Sequence, residues 1–439
     1  VVAIVFGGGG TPSPSTELVV EFAALAALVA WVWLAPRDRS YLSPPVDWPL
    51  LIMAAIFAAI PLLQLVPLPP SIWHHLPGRE VEVQALALVG RADSWMPLSE
   101  SPPRTIASVL SLMPPLTMLF MVSRLRGRDR ITLIGVMALL GLAAATVGVL
   151  QLASGNANWL RFYEFTHHGF ATGFQANRNA DADILLIAVI AATAWAALGV
   201  RSGWSRQVQV LLVAALLFLV LSVVLTGSRT GVALISVAVI AAAAMLLRKS
   251  MLRSWKVIAA GLTGLAVIGA SAYLLSNNTR VGQTLGRFSD VEAIRPEIWK
   301  DTVYAIGQHW PVGSGIGTFQ PIFAASERLE FVRPDFSNRA HNDYLEFLLE
   351  AGVVAPLFIL VIVIFTGVRL TRMLMQKAAR DRRIAGIFVL GSLLVLLMHS
   401  LVDYPERSLS LAVVSGMLAG LLGRVGIERS GRRSEGVVG

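Results

Sequence analysis

Along most of the chain, runs of roughly twenty apolar residues alternate with short polar connections, a pattern that predicts membrane-crossing helices. A helix rises about 1.5 Å per residue, so about 20 residues traverse the hydrocarbon layer of a bilayer. Spans are read at about 17–35, 49–67, 105–123, 131–152, 184–200, 208–226, 231–247, 257–275, 344–368, 384–402 and 408–423. The apolar piece at 1–6 is read as the remnant of a truncated first span, which brings the expected number to twelve. Pro61, Pro114 and Pro115 fall inside spans, where a kink is tolerated if neighbouring groups satisfy the freed backbone. The expected division is transmembrane helices over 1–275, a large outer loop over 276–342, further transmembrane helices over 343–423, and a basic cytoplasmic tail over 424–439.

Composition agrees with the pattern. Of 439 residues, 55% are hydrophobic and only 14% charged, against roughly 25% charged in soluble domains. The expected class is an all-α polytopic membrane protein. No cysteine is present, which excludes disulfides, thiolate catalysis and cysteine-bound metals. A net charge of +9 invites a nucleic-acid reading, but membrane proteins keep basic residues to set topology. The connections at 36–48, 124–130, 201–207, 248–256 and 369–383, with the tail, hold 22 of the 36 Lys and Arg. Of the 14 on the other side, seven lie in the 276–342 loop, and long loops count for little in this rule. The first set is therefore expected in the cytoplasm. The opposite side, the periplasm in a bacterial inner membrane, receives 68–104, 153–183, 226–230, 276–342 and 403–407.

The chemistry-bearing residues collect on that outer side. Arg339-Ala-His-Asn-Asp-Tyr-Leu-Glu-Phe-Leu-Leu-Glu-Ala-Gly352 joins the longest polar segment to a long apolar one. If the helix includes His341, then Tyr344, Leu345 and Leu348 share its face, and Asp343, Glu346 and Glu350 form a second, acidic face. An unperturbed histidine titrates near ~6.5 and exchanges a proton at neutral pH; the competing reading is an interfacial histidine at a helix start. Upstream, Arg295-Pro-Glu-Ile-Trp-Lys300 reads as a helix start, with Pro296 at the first helical position. Gly313, Gly315 and Gly317 allow either plain turns or close approach of a ligand; their spacing is not a nucleotide fingerprint.

Arg229 sits in a hinge between two spans, where anchoring and anion binding are both open. A guanidinium suits a diphosphate because its planar fork makes two parallel hydrogen bonds and stays charged. Asp181 and Asp183 form an Asp-x-Asp pair at a helix entry, where capping is favoured over metal binding because i and i+2 side chains diverge. Asn177, Arg178 and Asn179 are candidates for holding sugar hydroxyls or phosphate. His74, His75, His167 and His168 read as members of ordinary interfacial loops, and Glu80 and Glu82 as routine loop charges. His399 and Asp403, at i and i+4, are expected to hydrogen-bond as a structural pair.

With these residues on one side, the sequence resembles the bacterial O-antigen ligase and O-antigen polymerase superfamily. The matching pieces are Phe174 to Asp183, Ser228-Arg229, Arg295 with Trp299, Pro311 to Phe319, His341-Asn-Asp-Tyr-Leu-Glu346 with Gly352, and His399 to Tyr404. The resemblance implies a fold like that of the C-type glycosyltransferases and a periplasmic-face transfer of a glycan from undecaprenyl diphosphate. Arg229 and Arg295, with Arg178, would bind the donor diphosphate, and His341 would assist attack by the acceptor hydroxyl. Asn342, Tyr344, Asn177 and Asn179 are expected to position substrate. One-step attack would invert the anomeric centre, with no metal and no cofactor. The acceptor would be lipid A core in a ligase or another lipid-linked glycan in a polymerase; ligation is the reading taken. A lipid-linked sugar transporter is the alternative from another class, but such proteins tend toward paired repeats and midplane binding groups. A scaffold in an export complex explains the helices but not the outer arginines and histidine.

Overall fold

In the computed structural model the described residues are 1–9, 14–34, 46–199, 205–246, 288–332, 338–375 and 380–423. The expected span at 257–275 and the basic tail at 424–439 lie outside them. The chain opens with α1 (Val2–Phe6), α2 (Pro14–Leu34) and α3 (Trp48–Gln64). A two-residue antiparallel ribbon, β1 (Pro67–Leu68) against β2 (Met96–Pro97), brackets the short helices α4 (Pro70–Trp73) and α5 (Glu80–Leu88). Next come α6 (Pro102–Ser111), α7 (Met113–Ser123), α8 (Gly127–Ala153), α9 (Arg178–Gly199), α10 (Arg206–Leu225) and α11 (Arg229–Leu246). The last part holds α12 (Phe288–His309), α13 (Phe319–Ser326), α14 (Asp343–Ala351), α15 (Val354–Met375), α16 (Arg380–His399) and α17 (Leu409–Leu421).

Eight candidate spans among the described residues are long and apolar enough to cross a membrane: α2, the continuous α6–α7 rod, α8, α9, α10, α11, α15 and α16. The chain is thus a multi-pass membrane protein by length and composition. Of the other expected spans, α3 and α17 are apolar but shorter, and the piece at 1–6 is a five-residue helix.

Two expected boundaries move. The span expected from 344 is two helices, α14 and α15, because Gly352 breaks the rod at φ +54°. A side chain at Gly352 would collide with the Pro311 carbonyl, so the chain turns there against another loop. The helix expected to start at Arg295 begins at Phe288, leaving Pro296 inside it and without one backbone hydrogen bond.

The core is centred on α9, whose residues Ala180 to Ala194 are all buried. Small residues let its neighbours approach closely, as interfaces between helices in lipid require. Gly141 of α8 lies directly against Ala188, and Gly231 of α11 against Ala182. Leu211, Leu217 and Leu221 of α10 and Leu357, Leu360 and Ile364 of α15 are instead exposed; on a spanning helix such a face meets lipid.

The two ends of the bundle differ in chemistry. At one, Arg369 makes a two-pronged ion pair with Asp47 at 2.6 and 2.7 Å. The buried Arg130 guanidinium there donates to the carbonyls of Ser123, Leu125, Leu421 and Gly423, satisfying acceptors at helix ends that would otherwise lack partners. The other end gathers the start of α9, the turn before α11, α14 and the loop between α16 and α17. Residues 1–9 dock into it: Gly8 N donates to the Tyr163 hydroxyl at 2.7 Å, Ala176 N to Gly8 O at 2.9 Å, and Ser410 N to Gly7 O at 2.9 Å.

Candidate active site

His341 stands outside the helix expected to carry it. Asn342 caps α14, its Oδ1 accepting from Tyr344 N at 3.0 Å and Leu345 N at 3.1 Å, while its Nδ2 donates to Leu401 O. Helical sharing of a face with Tyr344 and Leu345 therefore fails for His341. With φ +49°, it is one of two non-glycine residues at positive φ among the described residues. Such backbone costs about 1–3 kcal/mol and persists where its surroundings enforce it. They do so here on both sides: Ala340 O accepts from Trp299 Nε1 at 3.0 Å, Ala340 N donates to Glu346 Oε2 at 3.1 Å, and Asp343 N donates to Ser400 O at 3.0 Å.

The strained backbone aims the ring at Asp403. His341 Nδ1 lies 3.0 Å from Asp403 Oδ1, and the Tyr404 ring packs on the imidazole with centroids 5.0 Å apart. Burial pushes the Asp403 carboxyl up, but the His341 hydrogen bond and the positive charges of His341, His399 and Arg295 outweigh it and hold it well below the usual carboxylate range. An ionised carboxylate only accepts, so His341 Nδ1 is the donor of this bond, and in a neutral ring the acceptor nitrogen is then Nε2.

Asp403 also gathers the asparagines. Its Oδ2 accepts a close hydrogen bond from Asn179 Nδ2 and a longer one, 3.4 Å, from Asn177 Nδ2. Asn177 Oδ1 in turn caps α9 through Asn179 N at 2.8 Å, the task expected of Asp181 or Asp183. Asp181 lies buried within the electrostatic reach of Arg161, and Asp183 bonds His399 Nδ1 at 2.6 Å. The expected side-chain bond between His399 and Asp403 is replaced by these two cross-element pairs. Asp403 lies past the end of α16, so only its backbone continues the turn, Asp403 N donating to His399 O at 2.9 Å. Asn177, Asn179, Asp183, Asp403, Tyr404 and Ser408 line a cavity of ≈ 10 Å³, room for about one water.

The arginines approach the same end. Arg295 is half-buried, its Nε has no hydrogen-bond partner among the described residues, and its charge acts on Asp403 and His167. Arg178 N donates to His167 Nδ1 at 3.3 Å, while the Arg178 guanidinium lies 4.3 Å over the Phe170 ring. Burial, reinforced by the Arg178 charge, pushes His167 down to about 4, so it is a neutral acceptor. Reading its loop as an ordinary interfacial one had passed His167 over. Arg229 is exposed at the first position of α11, just after Ser228, whose Oγ accepts from Gly231 N at 3.0 Å. Tyr344 faces structure: its hydroxyl donates to Leu397 O at 2.9 Å and ties α14 to α16.

Beneath His341 the acidic face of α14 is buried rather than solvated. Arg407 bonds Glu350 at 2.8 Å and lies 3.4 Å from Glu346, which Arg339 also bonds at 2.9 Å. Nothing in the local pattern marked Arg407, because its partners are remote in sequence. Burial pushes the Asp343 carboxyl up to about 8 against the pull of Arg407, with Glu406 and Glu346 adding to the rise. The glycines at 313, 315 and 317 all have positive φ and serve backbone packing, Gly313 against Gly352 and Gly315 against Ser99.

A search of curated proteins returns no match. Residues 213–360, a stretch that contains Arg229, Arg295 and His341 but neither Asn177 nor Asp403, match the family model for O-antigen ligase, and this match supports membership of the O-antigen ligase superfamily.

Proposed function

We propose that the protein transfers a glycan from an undecaprenyl-diphosphate donor to an acceptor hydroxyl on the periplasmic face of a bacterial inner membrane, and that the acceptor is lipid A core. The observation that carries this reading is the His341–Asp403 pair, 3.0 Å apart, which engages Nδ1 of a strained, half-buried histidine and so makes Nε2 the nitrogen to receive a proton when the ring is neutral. A sugar hydroxyl is a poor nucleophile, and a base within hydrogen-bond reach assists as the new bond forms. The proton passes from the hydroxyl to Nε2, the hydroxyl oxygen attacks the anomeric carbon, and the bond to the lipid diphosphate breaks with its electrons leaving on the diphosphate. Asp403 holds the imidazolium that results. Arg295, whose buried Nε has no partner among the described residues, and Arg178 and Arg229 at the same end supply fixed positive charge to the leaving group, which needs no metal to be stabilised. Asn177 and Asn179 position Asp403 in addition to the substrate role expected of them.

The test gives purified protein a lipid-diphosphate glycan and offers lipid A core or further donor separately. Glycan joined to lipid A core is the expected product. Lengthened lipid-linked glycan identifies a polymerase, and movement of donor across vesicles without a new glycosidic bond identifies a transporter.

A further inference from the structure

A second histidine–aspartate pair, His399 with Asp183, lies beside the first and plays no part in the chemistry above. Both residues are almost fully buried, and Nδ1 and Oδ1 are 2.6 Å apart. The two pairs are interleaved. His399 ends α16 and its carbonyl accepts from Asp403 N in the loop that follows, while Asp183 and Asn179 share the first turns of α9. His399–Asp183 therefore fastens the element that carries Asp403 to the one whose asparagines hold it. Asp183 Oδ2 is buried without a hydrogen-bond partner among the described residues, and Asp183 lines the cavity that Asp403, Asn177 and Ser408 also line. A buried carboxylate oxygen without a protein partner, on a residue that lines a water-sized space shared with other polar side chains, is where proteins hold an ordered water.

We propose that the His399–Asp183 pair, with one water held between Asp183 and Asp403, is a positioning device that fixes the Asp403 carboxylate for His341. This rests on the transferase reading. The groups facing the device come from four elements: His399 on α16, Asp183 on α9, Asp403 and Glu406 on the loop after α16, and Arg295 on α12, with His341 beyond Asp403. Charge-assisted hydrogen bonds of this length are strong and directional, so the pair sets distance as well as charge. Neither residue touches substrate; both act through Asp403.

A double-mutant cycle on the full-length protein tests this, with turnover, donor KM and the pH profile of kcat as readouts. Asp183→Asn keeps the shape and removes the charge. Its kcat should fall about 10–100-fold, the usual cost of losing an orienting partner behind a reacting group. Donor KM should stay within about twofold, because the arginines are intact, and the acidic limb of the pH profile should move. Asp183→Asn combined with Asp403→Asn should be no slower than Asp403→Asn alone. If Asp183→Asn is not monodisperse on gel filtration, His399→Gln takes its place in the cycle. Losses that multiply, or a kcat and pH profile unchanged by either variant, overturn the inference while leaving the transferase reading intact. No transfer by the wild-type protein overturns that reading, and this inference with it.

Discussion

His341 and Asp403, 62 residues apart in the chain, meet through a 3.0 Å hydrogen bond between Nδ1 and Oδ1. The bond orients a ring that its own helix does not carry, and it leaves Nε2, not Nδ1, as the nitrogen that would serve the proposed base. Removing either residue should therefore damage the same step. His341→Ala should lose about 100- to 10,000-fold in turnover, the range a general base contributes, while donor affinity largely survives. Asn342→Ala should cost less, since that side chain caps α14. Measured turnover and donor binding in monodisperse protein check both; near-normal turnover for His341→Ala would return the residue to an ordinary interfacial role.

Arg295→Lys preserves charge and abolishes the planar fork. A charged hydrogen bond is worth about 1.5–3 kcal/mol, so kcat/KM for the donor should drop about 10- to 100-fold, and Arg229→Lys should act in the same direction. Transfer should continue in a chelator. Activity that disappears with chelator and returns with magnesium or manganese would instead direct attention to Asp181 and Asp183.

Arg407 neutralises a buried acidic face. Arg407→Met should leave Glu350 buried without its cation and Glu346 with Arg339 alone, a loss of about 3–5 kcal/mol for a broken buried pair. Thermal unfolding in detergent should begin well below the wild-type temperature, and an unchanged Tm would contradict the pairing.

Asp343 makes stability depend on pH with a definite sign. Its carboxyl is raised to about 8 in the folded protein, against about 3.9 in an unfolded chain. The neutral form is thus favoured by folding. The contribution is fully present below the unfolded value and is lost as pH rises through about 8. Asp343→Asn stays neutral throughout, so its Tm should gain on the wild type as pH rises from 5 to 8.5. A constant difference across that range would mean that Asp343 is already ionised at pH 5.

The sidedness expected from the basic residues is directly testable, because the sequence has no cysteine. In cells with only the outer membrane opened, Leu329→Cys, at an exposed position, should react with a membrane-impermeant thiol reagent. Arg128→Cys, exposed in the first turn of α8, should not. The reverse labelling would invert the proposed orientation.

The spans were legible because long apolar runs leave few alternatives to helix in a bilayer. The break at Gly352 was not, since Leu345, Phe347 and Leu348 continue the apolar run across it and only the contact with Pro311 reveals the turn. His341, Arg295, Asn177 and Asn179 could be singled out from their places in outer loops. What joins them could not: Asp403 sat at helical spacing from His399, and local periodicity suggested the wrong partner. The acidic face of α14 was legible as a face but its burial was not, because Arg407, which pairs with it, lies 57 residues beyond Glu350.

That separation bears on how the protein is made. Chains emerge from the N-terminus, so α14 is synthesised before α16 and the loop that supplies Ser400, Asp403 and Arg407. Until that loop arrives, Glu346 and Glu350 lack Arg407, and His341 has no carboxylate to meet. The proposed site is thus completed only after the loop that follows α16 has been made. A nascent chain stopped short of Arg407 would carry all eight candidate spans found among the described residues and still lack the cation that bonds Glu350.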